Sequence, residues 1–367
     1  MKKMIYFFIF LFVLCIIVAL FVNMHAVFGG NPNSSQKEQY TSFDNYVNGK
    51  FVNQVSTKMS MRVVDYFSMM KDSIFGVKDR NPARPLPVSN MDWDKIKSEE
   101  DSLTWFGHSA FLLSLDNKKM LFDPMLGKVA SPVSFIGSKR YSEDMLHIID
   151  EMPPIDAVFI THDHYDHLDY PSIRKLKDKV DHFFVPYGVS AHLVRWGVAM
   201  EKITELNWWE EKEFQGLTVA LTPSKHFSGR GLFNRDSTLW GGWVILGSQT
   251  RFYTSGDGGY DTHFKEIGEK YGPFNIALIE GGQYDRRWPW VHMTPEEAVQ
   301  AHVDVNGEYM MPIHWGAFTL AFHSWTEPIE QALAEAKKAN VNVIAPPIGE
   351  TIILTGDLST SPSSWWK

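Results

Sequence analysis

The sequence predicts an α/β fold carried behind one membrane-spanning helix and an extended arm. Three observations predict it: an uncharged apolar run from Met4 to Val22, short strand-like runs alternating with amphipathic segments beyond residue 99, and a dense His/Asp turn from Thr161 to Asp169 set between a strand and a helix.

The N-terminus comes first. Lys2 and Lys3 precede the apolar run, which as a helix would span roughly 28 Å at about 1.5 Å per residue, enough to cross a bilayer. Lysines stay on the cytoplasmic side, so the rest of the chain is expected on the extracytoplasmic side. A cleaved signal peptide ending near Ala26 is the rival reading, and it would make the protein secreted. Against it, the run exceeds the usual apolar core of about 7–15 residues, and Met24 is not the small residue that cleavage favours. Residues 1–26 are therefore read as anchor or signal sequence. The single cysteine, Cys15, lies inside this run, so no disulfide framework or cysteine-based metal site exists within the chain.

Residues 27–98 turn polar and then weakly amphipathic, with Pro82, Pro85 and Pro87 near the end. They read as a tether and wrapping arm. Residues 99–357 form the expected catalytic domain and 358–367 a C-terminal tail. With 44% hydrophobic residues there is ample material for a large core. A net charge of −8 argues against nucleic acid as partner, because phosphate neutralisation needs a basic face. Oligomeric state is not legible from the sequence.

Within the domain, Leu103–Phe106, Ala110–Leu115, Lys119–Phe122 and Ile155–Ile160 are expected as strands. Ile173 to Val180 carries apolar residues at helical spacing, and Pro171 suits the helix start. Further strands are expected at Leu217–Leu221, Trp243–Leu246, Arg251–Thr254, Asn275–Ile279 and Tyr309–Ile313. Thr294, Pro295 and Glu297 spell a capping box that opens a helix.

The chemistry concentrates in Thr-His-Asp-His-Tyr-Asp-His-Leu-Asp, residues 161–169. Crowding imidazoles and carboxylates into one turn is costly unless a cation binds there. Neutral imidazole nitrogen with carboxylate oxygen is a donor set that zinc favours. His226, Asp257 and His314 each follow another predicted strand beside small turn residues. Just before His292, the run Gln283 to Trp290 mixes arginines with large aromatics, suited either to a phosphate at a lipid interface or to a packed loop of ordinary salt bridges.

With Thr104 to Ser109, Leu121 to Pro124, the 161–169 turn, Trp208-Trp209-Glu210, Thr222-Pro223-Ser224, Gly256-Asp257, Pro295 to Val299 and Ile313 to Gly316 on the page, the chain resembles metallo-β-lactamase-fold hydrolases from about Leu103 to Gly349. Within them it resembles the N-acylphosphatidylethanolamine-hydrolysing phospholipase D group and its bacterial relatives. The resemblance implies a four-layer αββα sandwich and two zinc ions, with iron or manganese able to take the same ligands. It implies His162, His164 and His226 for one ion, Asp166, His167 and His314 for the other, and Asp257 bridging both together with a water or hydroxide. Asp166, Asp257 and His292 are the implied catalytic residues. Arg287, Trp288 and His292 are expected to meet substrate, and His108, Asp123 and Asp169 to support the ligands from behind. His292, a lone histidine before a helix, also admits a purely structural reading.

The expected reaction is phosphodiester hydrolysis of an N-acylphosphatidylethanolamine-like phospholipid. The alternative is hydrolysis of a lactone or other ester, as in the ascorbate-6-phosphate lactonase group. A scaffold that keeps zinc only for folding would instead need a closed four-ligand site. One departure stands out: Gly258 follows Asp257 where relatives commonly have Thr or Ser.

Overall fold

A computed structural model describes residues 2–55, 61–98, 100–356, 358 and 364–367. The domain limits expected at Glu99 and Asp357, and most of the tail, lie outside the described residues.

Helix α1 (Lys2–Met24) is apolar on every side and buries no side chain against the rest of the chain. The arm that follows is organised: α2 (Ser34–Tyr40) opens on an Asn33–Gln36 capping box, a hairpin spans residues 46–51, and α3 (Val63–Phe75) and α4 (Trp93–Lys97) continue it. Tyr40 and Phe51 are fully buried, so this stretch is strapped onto the domain by its aromatic residues.

The domain holds two seven-stranded sheets. The first uses β1 (Ser102–Trp105), β2 (Phe111–Leu115), β3 (Lys118–Phe122), β4 (Ile155–Phe159), β5 (Val180–Pro186) and β6 (Ile203–Leu206). The second uses β7 (Glu211–Phe214), β8 (Leu217–Thr222), β9 (Gly242–Leu246), β10 (Arg251–Thr254), β11 (Phe274–Glu280), β12 (Gly307–Ile313) and β13 (Asn342–Val343); β14 (Thr351–Ile353) returns to the first sheet beside β1. Strand order is β6-β5-β4-β3-β2-β1-β14 in one sheet and β7 through β13 in sequence in the other. Helices α5 (Ile148–Glu151), α6 (Tyr170–Leu176) and α7 (Ser190–Arg195) accompany the first sheet. Helices α8 (His263–Tyr271), α9 (Pro295–Asp304) and α10 (Glu327–Ala339) accompany the second, giving the four-layer αββα sandwich.

Period-two alternation assigns the faces. On β10, Phe252 joins the core between the sheets, whereas Tyr253 joins the cluster under α8 and α9. Between the sheets Phe111, Phe122, Phe159 and Phe184 stack in sequence, with ring centroids 4.6, 4.7 and 5.0 Å apart. Truncating one of them to alanine would cost about 3–5 kcal/mol.

The helix expected over Ile173–Val180 runs instead from Tyr170 to Leu176. Asp169 caps its start, and Val180 opens β5, whose branched and aromatic run Val-Asp-His-Phe-Phe-Val prefers a pleated, buried setting. The expected tail also contributes to the core: Trp366 is buried, and Trp365 stacks on Trp315 at 5.6 Å.

Candidate metal centre and active site

The C-terminal ends of β4, β8, β10 and β12 meet at one end of the sandwich and deliver His162 to His167, His226, Asp257 and His314 to a common point. Tight backbone turns make this possible. His108 and His314 both sit at positive φ, 57° and 67°, and their main chains pair, His314 N–H donating to His108 O at 3.1 Å. Such conformations cost about 1–3 kcal/mol each and persist only where their surroundings impose them. Gly256 takes φ 59° where a side chain would meet the Gly241 carbonyl, so the chain turns there and presents Asp257.

Among the described residues, four overlapping groups of candidate ligands result, and two of them share no residue. In the first, His162 Nε2 and His164 Nδ1 lie 2.8 Å apart, and His226 Nε2 is 3.3 Å from His164 Nδ1. In the second, His314 Nε2 lies 3.2 Å from Asp166 Oδ2, and His108 Nε2 donates to the same oxygen at 2.8 Å. Asp257 stands between them. Its Oδ2 is 3.0 Å from His167 Nε2 and 3.1 Å from His314 Nε2, and 3.9 Å from both His162 Nε2 and His226 Nε2. Asp257 Oδ1 is buried with no hydrogen-bond partner.

The electrostatics ask for cations. Burial pushes the Asp166 carboxyl up, but the charge of His167 and hydrogen bonds from three histidines outweigh it and hold the group well below the usual carboxylate range. Asp257 behaves alike, with burial opposed by His167 and His314. Burial pushes His314 down, yet Asp257, Asp166 and Glu280 raise it to about 9. An orphaned carboxylate oxygen, Asp257 Oδ1, among convergent imidazole nitrogens fits a divalent ion.

Behind the donors, Asp123 Oδ2 lies 2.8 Å from His167 Nδ1 and also accepts from the Thr161 hydroxyl at 2.6 Å. His108 lies at the second donor group itself. Asp169 departs from expectation: it supports no metal-donor histidine, because its carboxylate accepts from the Ser172 amide and hydroxyl at 3.1 and 2.6 Å as the cap of α6. Arg287 is also placed differently from a free substrate contact. It lines the cavity, but its guanidinium is buried and committed to Asp285 at 2.5 Å and Asp72 at 2.8 Å. Trp288 lines the same wall and donates to Gln283 O.

Sequence reasoning passed over Glu280, the last residue of β11. Fully buried, it binds His292 Nδ1 at 2.8 Å and His314 Nδ1 at 3.3 Å through one oxygen, and accepts from the Met293 amide through the other. A lone carboxylate closing the run Ile276–Ile279, apolar at every position, is its signal. Asp163 was passed over too, and it is internal mortar: buried, it accepts from the Gly229 amide at 2.7 Å and pairs with His192 at 3.2 Å. Gly258 has a steric reason. A Cβ there would sit 3.0 Å from the Lys225 nitrogen, so Ser or Thr would need a local shift.

A cavity of about 400 Å³ opens over the donors, lined by His164, Asp166, His226, Asp257, His292 and His314 on its floor and by Met61, Tyr66, Phe227, Trp288, Trp290 and Leu320 on its walls.

Residues 118–315, spanning all the donors except His108, match the model of the beta-lactamase superfamily domain. The chain belongs to the beta-lactamase superfamily. It is a metallo-β-lactamase-fold, metal-dependent hydrolase with a candidate His/Asp metal cluster. An uncharacterized Mycobacterium tuberculosis protein is 38% identical over 333 residues, covering 88% of this chain and 87% of the relative. A Caenorhabditis elegans protein named N-acyl-phosphatidylethanolamine-hydrolyzing phospholipase D 1 is 37% identical over 248 residues, 64% of this chain and 69% of its own length. Among solved structures, the metallo hydrolase Igni18 from Ignicoccus hospitalis superposes with a TM-score of 0.53 at 24% identity, covering 69% of this chain and 97% of its own, a likeness of fold.

Proposed function

We propose that this superfamily member is a binuclear zinc-dependent phosphodiesterase of phospholipase D type, acting on N-acylphosphatidylethanolamine-like phospholipids. The observation that carries this reading is Asp257, shared between two donor groups on the floor of a largely apolar-walled cavity. In this reading His162, His164 and His226 take one ion and Asp166, His167 and His314 the other, each set drawn from one group of convergent donors. Two ions so held would supply an activated water and positive charge for phosphoryl oxygens. The C. elegans relative's name supplies the substrate class.

The chain's own residues account for the rest. Glu280 fixes the His292 ring through Nδ1, which leaves Nε2 for a phosphoryl oxygen at the cavity wall. Trp288 and Trp290 suit the boundary between a polar headgroup and acyl chains. Arg287 holds the wall in place rather than reaching for phosphate. The bond broken lies between phosphorus and the headgroup oxygen, yielding a phosphatidic acid and an N-acylethanolamine. Helix α1 supplies a bilayer anchor, with the catalytic domain on the extracytoplasmic side; cleavage after it would release the domain instead.

The test is product analysis. Purified full-length protein is incubated with N-acylphosphatidylethanolamine and with a panel of lactones, and products are identified by mass spectrometry. Phosphatidic acid release is expected, and ring opening of lactones alone would overturn the proposal in favour of the ester hydrolase.

A further inference from the structure

Helix α3 is built inside out. A surface helix normally turns its apolar stripe to the core and its polar residues to water. At about 100° per residue, Val63, Phe67, Met70 and Ile74 fall on one stripe of α3, and all four are exposed, Phe67 by 61% and Ile74 by 69%. The opposite stripe, Asp65, Ser68 and Asp72, is polar and faces the protein. Asp65 is buried, and Arg287 donates to Ser68 at 3.3 Å and to Asp72 at 2.8 Å. The helix is therefore pinned to the cavity wall by its charges, and its hydrocarbon points away.

An apolar stripe of this kind needs a cover. The chain names the cover itself, because α1 is apolar on all faces and buries nothing. Next to the stripe, Met61 and Tyr66 line the cavity, and Trp290, half exposed, stands at the same rim. Lys71 and Arg286 are exposed nearby, positioned to reach headgroup phosphates.

We propose that α3 is an interfacial helix lying in the surface of a lipid bilayer, with Val63, Phe67, Met70 and Ile74 immersed at the level of the headgroups, and that it holds the cavity mouth against that surface. The proposal rests on the membrane-anchored reading of α1. It deepens that reading by giving the catalytic domain a defined second contact, through which a lipid enters the cavity without crossing water.

The experiment uses the full chain with Cys15→Ser and single cysteines introduced as Phe67→Cys, Ile74→Cys and, as a control on α8, Glu269→Cys. Each is labelled with an environment-sensitive fluorophore and reconstituted into phosphatidylcholine and phosphatidylglycerol vesicles. Flotation with the vesicles reads the α1 anchor, and quenching by lipids brominated near the headgroup reads α3. The expected result is shorter-wavelength emission and loss of intensity at positions 67 and 74, with position 269 unchanged. Flotation without quenching at 67 and 74 would overturn the proposal and leave the anchor standing. Failure to float would overturn both. Shielding at 67 and 74 that grows with protein concentration and ignores brominated lipid would assign the stripe to a second copy of the chain, and would also overturn it.

Discussion

The buried Glu280 carboxylate meets Nδ1 of His292 at 2.8 Å, although neither residue is among the seven side chains proposed as metal donors. The same oxygen lies 3.3 Å from His314 Nδ1, so one carboxylate orients both a proposed metal donor and the histidine beside the cavity. Glu280→Gln keeps the shape and removes the charge. Turnover or metal affinity is expected to fall about 10–100-fold, the usual cost of losing an outer partner. Steady-state kinetics together with metal titration of the folded variant check it, and unchanged values on both would remove Glu280 from the site.

Asp257 should be more demanding. The full-length protein is expected to bind about two divalent ions per chain, as a paired site requires. Asp257→Ala should lower that content and reduce turnover by more than the ~100-fold assigned to outer partners. Elemental analysis by mass spectrometry alongside activity reads both, and a variant with full metal and full turnover would refute the shared role.

Gly256→Ala probes the turn that presents Asp257. The added Cβ would lie 2.6 Å from the Gly241 carbonyl, at a φ of 59° that disfavours any side chain. A loss of about 1–3 kcal/mol in stability is expected, with activity lost further because Asp257 must move. Urea unfolding in detergent provides the number.

Acid sensitivity should have a source outside the site. Burial holds the His263 imidazole down to about 3, against an ordinary value of 6.5. The folded-state value is depressed, so the unfolded chain takes up the proton first as pH falls. Stability from this group is complete above pH 6.5 and declines towards pH 3, by about 1.4 kcal/mol per pH unit. His263→Phe should flatten that part of the profile. Urea midpoints at pH 7, 6 and 5 for both proteins would show it; parallel curves would contradict it.

Much of the site could be read because each donor closes a strand of unmistakable composition. Ile155–Phe159 is apolar apart from Asp156, and the turn behind it has no reason to hold so many ligating groups. Supporting residues were harder. Asp169 lies in the same turn as His162, yet its carboxylate caps a helix, and nothing in local spacing separates those two fates. Glu280 is distant in sequence from His314 and meets it only because β11 and β12 run parallel in register, Glu280 opposite Ile313. The sequence predicts a tether and wrapping arm over residues 27–98, but its polar, weakly amphipathic composition does not say what the arm wraps onto. Tyr40 packs on Tyr46 and Phe51 within the arm and reaches Tyr187 across the fold, a partner more than a hundred residues away.

The donors come from both halves of the sandwich, His162 to His167 from the first sheet and His226, Asp257 and His314 from the second. A ribosome-bound chain can form the first sheet's turn early, but Asp257 and His314 emerge later, and only docking of the completed layers brings all of them within reach. Hydrolytic competence is thereby tied to the last steps of synthesis: an incomplete chain carries the fragments of a reactive centre and none of its reactivity.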